Sequence, residues 1–265
     1  MRRGETVAVD IQEILCACRP LVVMFSGGLD SVLLADLAHE CLRDDMLCIT
    51  IDSPVVKRCE LEEAAKFCAG RGIRQVVLLL DETLDACFAA NPPERCYICR
   101  RLRDRAVLEW VSENPGFIVA DGMNKSDLDD YRPGMKAAHE DGIRHPLIEA
   151  GMDKDSIREM ARSRGISGWD RESTVGLCSR VLYGLPLTHE RLQRIEEAET
   201  FLQDMGLKDI RVRCFPGERA VIETNAAGVV TVKHQRVAIA EKLQALGFIW
   251  AGDVGVKKGR TKLPT

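Results

Sequence analysis

The 265 residues suffice for one large domain and a smaller one, and 46% hydrophobic with 29% charged residues is an ordinary globular balance with a sizeable core. A formal net charge of -4 excludes a broad basic field, so nucleic acid is not expected as a partner without a local patch. The start, Met1-Arg2-Arg3-Gly4-Glu5 running on to Asp10 and Glu13, has no apolar signal core, and no run approaches the roughly 20 apolar residues of a membrane helix, which predicts a soluble, cytoplasmic protein.

Strand and helix alternate through the first two thirds. Residues 21–25 form an apolar run suited to a buried parallel strand, and 30–42 carry a helical pattern with an acidic residue in the first turn. Strands are expected at 47–51, 75–80 and 117–120, and helices at 60–71 and 101–112. This alternation predicts an α/β fold with a Rossmann-like parallel sheet built from βαβ units. Two stretches break the rhythm: 89–95, with Pro92-Pro93, and 165–186, punctuated by Gly165, Gly168, Gly176 and Gly184, both read as loops. A long helix follows at 189–205, then short strands at 210–214, 220–223 and 229–232 and a helix at 236–246. The expected organisation is a nucleotide-binding domain over residues 1–186 and a small α+β domain over 187–265.

The segment Ser26-Gly27-Gly28-Leu29-Asp30-Ser31 falls where the first strand ends and a helix begins. Paired glycines let the backbone approach an anion, and N–H groups at the helix start form a nest favoured by the helix dipole. Ser26 and Ser31 add hydroxyl donors. No Gly-Lys-Ser/Thr follows and Gly-x-Gly-x-x-Gly is absent, so this is neither a Walker A loop nor a dinucleotide fingerprint. Ser-Gly-Gly-x-Asp-Ser after an apolar strand resembles the PP-loop, which grips ATP in enzymes that release pyrophosphate. A carboxylate at Asp30 beside bound phosphates implies a bridging Mg²⁺. Asp52 and Ser53, after the second strand, are candidates for the ribose or adenine, or a simple helix-capping turn.

The eleven cysteines, without a secretion signal, do not suggest a disulfide framework. Cys16, Cys18, Cys41, Cys48 and Cys68, among Ile, Leu and Ala, are expected as small buried apolar residues. Cys96-x-x-Cys99 is different: such a pair can hold two corners of a metal site, act as a redox dithiol, or bind no metal.

Further motifs extend the likeness beyond the loop. Ile51-Asp52-Ser53-Pro54, Asn91-Pro92-Pro93-Glu94-Arg95-Cys96-Tyr97-Ile98-Cys99, Asp121-Gly122-Met123-Asn124 and Asp129-Asp130-Tyr131-Arg132-Pro133-Gly134 resemble the LarE family of ATP-dependent sulfur transferases. So do Ser179-Arg180 with Tyr183-Gly184, and Arg211-Val212-Arg213 with Ala220-Val221-Ile222-Glu223, in order and at compatible spacing over residues 20–225. The resemblance implies an enzyme that adenylates a carboxylate of a pyridinium biscarboxylate mononucleotide with ATP and displaces AMP by sulfur, toward a nickel-pincer cofactor. It places Asp121 and Gly122 near the nucleotide and offers Asn124, Arg132 and Arg180 for anionic substrate groups. Arg132 and Arg180 read equally as surface ion-pair residues. Arg211 and Arg213 would hold a phosphate where subunits of a trimer meet, giving a trimeric or hexameric homo-oligomer, and Glu199 and Glu223 match metal-associated positions.

The sulfur source departs from the family pattern. Where many members carry a sacrificial cysteine, four residues before the arginine, this chain has Gly176, and Cys178 lies two residues later. Cys96, Cys99 and Cys178 would supply three thiolates to a [4Fe-4S] cluster of the kind some members use, with Cys59 or Cys214 as alternative third ligands; structural zinc competes with this reading. Rival functions are a tRNA-thiolating enzyme, an NAD- or GMP-synthetase-type ligase, and a non-catalytic adenine-nucleotide module.

Overall fold

The computed structural model describes residues 10–129, 132–170 and 175–256. The N-terminal pentapeptide and Asp130-Tyr131 of the arginine motif lie outside the described residues. In chain order the elements are α1 (Ile11–Ala17), β1 (Leu21–Met24), α2 (Leu29–Leu42), β2 (Met46–Asp52), α3 (Arg58–Arg71), β3 (Gln75–Leu79), α4 (Ala86–Ala89), α5 (Arg95–Glu113) and β4 (Ile118–Asp121). Then come α6 (Pro133–Glu140), α7 (Pro146–Glu149), α8 (Lys154–Ser163), α9 (His189–Asp204), β5 (Arg211–Phe215), β6 (Arg219–Thr224), α10 (Ala226–His234), α11 (Arg236–Ala245) and β7 (Val254–Val256). They pack as two compact units, one from residues 10–82 with 94–170 and one from 83–93 with 175–256.

In the first unit the strands are parallel in the order β3-β2-β1-β4. Because strand side chains alternate, Leu21 and Val23 face one way and Val22 the other. The first face packs on Leu15 of α1, Leu33 and Leu37 of α2, Ala64 and Cys68 of α3 and Ile157 of α8. The second packs on Val107 of α5 and Ala138 of α6. Strands covered on both faces read as continuous apolar runs, which is why Leu21–Met24 is legible as a buried strand. Helix ends follow local chemistry: Gly72 closes α3 at φ 68, and Asp153 with Ser156 forms a capping box on α8.

The second unit holds a three-stranded sheet in the order β5-β6-β7, with β5 antiparallel and β7 parallel to β6. The segment 83–93 belongs to it because the buried Asn91 carboxamide donates to the carbonyls of Leu182 (2.8 Å) and Leu185 (2.9 Å).

Several local expectations change. Residues 229–232 are helical, within α10: Asn225 caps that helix by accepting from Gly228 N (2.8 Å), and the third strand is β7 instead. The β-branched run Val229-Val230-Thr231-Val232 favours strand only weakly, and a cap with one buried valine outweighs it. Helix α5 begins at Arg95, not 101, so Cys96 and Cys99 follow the loop directly, in the helix's first turns. Cys18, Cys48 and Cys68 are buried and Cys41 partly so, but Cys16 is exposed.

Candidate active site

The phosphate-loop segment leaves β1 at its carboxyl end. Gly27 has φ 76, in the left-handed region that favours glycine, and a Cβ there would lie 3.2 Å from the Ala64 Cβ. Gly28 is the N-cap of α2 and offers no side-chain cap, so the first-turn N–H groups of the helix are left for another acceptor. The Ser31 hydroxyl donates to Gly28 O (2.9 Å) and lies 3.2 Å from Ser26 Oγ, which accepts from Gly28 N (3.4 Å). This is the geometry of an anion cradle.

The loop is braced from β4. A Cβ on Gly122 would lie 2.7 Å from Ser31 N and 2.9 Å from the Asp30 carbonyl carbon, so only glycine fits where the two backbones meet. Asp30 Oδ2 accepts from Lys154 Nζ (2.8 Å) and Asn124 Nδ2 (3.2 Å), whereas Asp30 Oδ1 is buried without a hydrogen-bond partner among the described residues. Asn124 is fully buried, and its Oδ1 accepts from Ser126 N while its own N–H donates to Asp127. Asp127 also holds Arg132 (2.7 Å). Asp121 is pushed up by burial, but Arg100 (2.6 Å) and His145 (2.7 Å) outweigh this and hold its carboxyl below the usual range. On the same helix as Arg100, the fully buried Asp104 is pushed up by burial to about 6 despite its own bond to that arginine.

At the end of β2, Asp52 accepts from Arg58 (2.5 Å), and the buried Ser53 hydroxyl that follows donates to Glu82. Glu82, itself buried, also accepts from Arg103 Nε (2.8 Å) and from the Cys99 thiol (3.9 Å). Cys96, one turn earlier, is exposed. Cys178, half-buried, belongs to the other unit. Among the described residues no three His, Cys, Asp or Glu side chains gather as a metal site.

In the second unit, Arg180 and Glu199 are buried and paired through both carboxylate oxygens, at 2.9 and 3.2 Å. Glu199 Oε1 also accepts from Val212 N (2.9 Å). Arg213 donates to Glu223 (3.0 Å) and to Ser179 O (2.8 Å), and Arg211 stands opposite Glu223 in the sheet. Burial first, then the charges of Arg180 and Arg213, lowers the Arg211 pKa from its ordinary value. Among the described residues three guanidiniums, Arg180, Arg211 and Arg213, meet two carboxylates, Glu199 and Glu223.

No model of a known family matches the chain. It is similar to the pyridinium-3,5-bisthiocarboxylic acid mononucleotide synthase of Lactiplantibacillus plantarum, at 30% identity over 247 residues, 92% of this chain and 89% of that protein. The chain belongs to the LarE family. An uncharacterised protein of Synechocystis sp. is 37% identical over 194 residues, 72% of each chain. A more distant likeness, 23% identity over 210 residues (72% of this chain, 66% of the other), runs to a glutamine-hydrolysing GMP synthase component of Methanococcoides burtonii, which fits the PP-loop superfamily.

For this LarE-family chain the structure brings Ser26, Gly27, Gly28, Asp30, Ser31, Asp121, Gly122 and Asn124 together, and Arg180, Glu199, Arg211, Arg213 and Glu223 together. Arg132 joins the first group through Asp127. Sequence reasoning missed Lys154, Arg100, His145 and Glu82. Each sits among other polar residues of its own segment, as Lys154 does between Asp153 and Asp155, so nothing local singles it out and only the pairing of distant segments marks it.

Proposed function

We propose that this protein is an ATP-dependent sulfur transferase acting on a carboxylate of a nucleotide-like acid, with pyridinium-3,5-biscarboxylic acid mononucleotide as the substrate. The observation that carries the reading is the uncapped start of α2 beside a buried carboxylate oxygen, Asp30 Oδ1, that has no hydrogen-bond partner among the described residues. Asp30 would hold a Mg²⁺ ion, which would neutralise charge on the departing pyrophosphate. The loop N–H groups and the Ser26 and Ser31 hydroxyls bind the phosphates and hold the α-phosphorus in reach of the substrate carboxylate. A carboxylate oxygen then attacks that phosphorus and pyrophosphate leaves, giving an acyl adenylate. A sulfur nucleophile next attacks the acyl carbon and AMP departs, leaving a thiocarboxylate. Gly122 seats β4 against the loop throughout.

The products test this directly. AMP and pyrophosphate are expected, dependent on Mg²⁺, and Asp30→Ala should stop turnover by more than about a hundredfold while leaving the fold intact. ADP and phosphate would overturn it, and absence of any nucleotide cleavage would favour a binding module.

The sulfur route is a separate matter. Cys96, Cys99 and Cys178 are the thiols of the expected cluster, with Glu199 and Glu223 the weaker metal candidates. Cys99 donates to Glu82, a bond that a cluster would have to displace, and Cys178 belongs to the other unit. No step is therefore drawn through iron. Iron and sulfide retained after anaerobic reconstitution, and lost in Cys99→Ala, would establish a cluster. Conversion of Cys178 to dehydroalanine in one turnover would establish direct sacrifice.

The Arg211 charge supports a further part of the reading, an anion held where copies of the chain meet in a trimer or hexamer. Light scattering showing only monomer at micromolar concentration would remove it.

A further inference from the structure

The sheet of the first unit ends on an open edge at β3. Among the described residues this strand is hydrogen-bonded to β2 and to no other strand. Cys48 N donates to Arg74 O (2.9 Å) and Leu80 N to Asp52 O (3.0 Å), so the even-numbered positions turn their N–H and C=O groups toward β2. Peptide groups alternate along a strand, and Gln75, Val77 and Leu79 therefore aim theirs away from the sheet. The side chains alternate as well. Val76 and Leu78 pack with Val107 and Trp110 of α5, whereas Val77 is 52% exposed and Leu79 84% exposed.

This edge lacks the usual protection. Gln75-Val76-Val77-Leu78-Leu79 holds no proline, glycine or charge, the devices that ordinarily keep an open strand from pairing. One more strand laid against it would satisfy the outward N–H and C=O groups and cover the two exposed side chains.

The ends of β3 say which strand fits. Arg74 stands just before it and Asp81 two residues after it, so the edge is basic at its start and acidic beyond its end. A second β3 laid alongside in the same direction would align like charges. Laid antiparallel, it brings Arg74 of each chain within one residue of Asp81 of the other. Antiparallel is also the direction that a two-fold axis imposes on two copies of one strand, and a two-fold contact closes on itself. Centred on Val77, the register sets Val77 opposite Val77 and Gln75 opposite Leu79. All of these carry outward peptide groups, so each opposed pair exchanges two N–H···O bonds. Val77 and Leu79 of both copies then share one face of a sheet that runs through the pair.

We propose that β3 is the contact of a two-fold dimer, in which a second copy of this chain pairs its own β3 antiparallel to the first. The inference does not depend on the nucleotide chemistry. Nor does it compete with a trimer built on the second unit, since a two-fold contact that joins two trimers gives a hexamer.

Light scattering of the full chain at micromolar concentration tests it. Wild type should have the mass of an even number of chains. Val77→Lys sets two like charges opposite each other at the axis and should halve that mass. Val77→Thr, β-branched and uncharged, should keep the wild-type mass. A wild-type monomer or trimer would overturn the proposal, as would an unchanged mass in Val77→Lys. A trimer in both proteins would do so while leaving the second-unit contact standing. Should Val77→Lys fail to fold, hydrogen exchange of wild type decides. The Val77 and Leu79 amides should exchange at least about tenfold more slowly than those of an unpaired strand, and should speed up on dilution. Fast exchange at every concentration would overturn the pairing.

Discussion

The two polar clusters of this protein are built in opposite ways. The proposed phosphate loop is made of backbone and short side chains, and it is left incomplete: α2 has no side-chain cap, and Asp30 Oδ1 is buried without a hydrogen-bond partner among the described residues. The arginine cluster of the second unit is made of long side chains and is nearly closed on itself, Arg180 by Glu199 and Arg213 by Glu223 and Ser179. An unfinished site is ready for a ligand, while a satisfied one supports its own fold first and offers only the residual charge at Arg211.

That contrast can be broken from either side. The largest effect is expected at Gly122. Substitution by valine forces side-chain atoms into the Ser31 backbone, and ATP cleavage should fall by at least about a hundredfold, with a clear loss of thermal stability. Retained pyrophosphate release in Gly122→Val would show that β4 does not brace the loop. Next comes the second unit: Glu199→Gln leaves Arg180 buried without its countercharge and should cost about 3–5 kcal/mol in urea unfolding. A loss under about 1 kcal/mol would mean the pair is not buried in solution.

A pH effect of similar or smaller size belongs to Asp104. Its folded-state pKa, about 6, lies above the ordinary 3.8, so the folded state binds the proton more tightly than the unfolded chain. Its contribution is therefore most favourable below about pH 4 and is lost as pH rises through 6, by up to about 3 kcal/mol. Compared with Asp104→Asn, wild-type stability should decline across pH 4 to 6; parallel curves for the two proteins would refute this. The smallest effect is at Asn225, where alanine removes the cap of α10 and should cost about 1 kcal/mol, measured by the urea midpoint.

The legible parts share a property. The buried strand Leu21–Met24, the following Ser26-Gly27-Gly28-x-Asp30-Ser31 and helix α2 depend on residues within one stretch of chain, and their spacing carries the message. The short strand β7 and the helices α6 to α8 are not legible, because their segments are short and β7 exists only through pairing with β6. The run 229–232 misleads for the same reason: propensity points to strand, while an asparagine cap and tertiary packing decide for helix. The start of helix α5 is hidden by six residues because Pro92-Pro93 masks a beginning that the buried Arg95 takes up at once.

By itself the sequence determined the family and the parallel α/β plan, and it marked the proposed phosphate loop between β1 and α2, since each is written in contiguous residues whose backbone needs are local. Tertiary structure alone decided the rest of the site. It set Lys154 and Asn124 on Asp30, seated Gly122 against Ser31, and bound Arg100 and His145 to Asp121. It also turned Arg180 and Glu199 from residues readable as solvated charges into a buried pair. Burial and long-range pairing fix what a charged side chain does, and neither is encoded in its near neighbours.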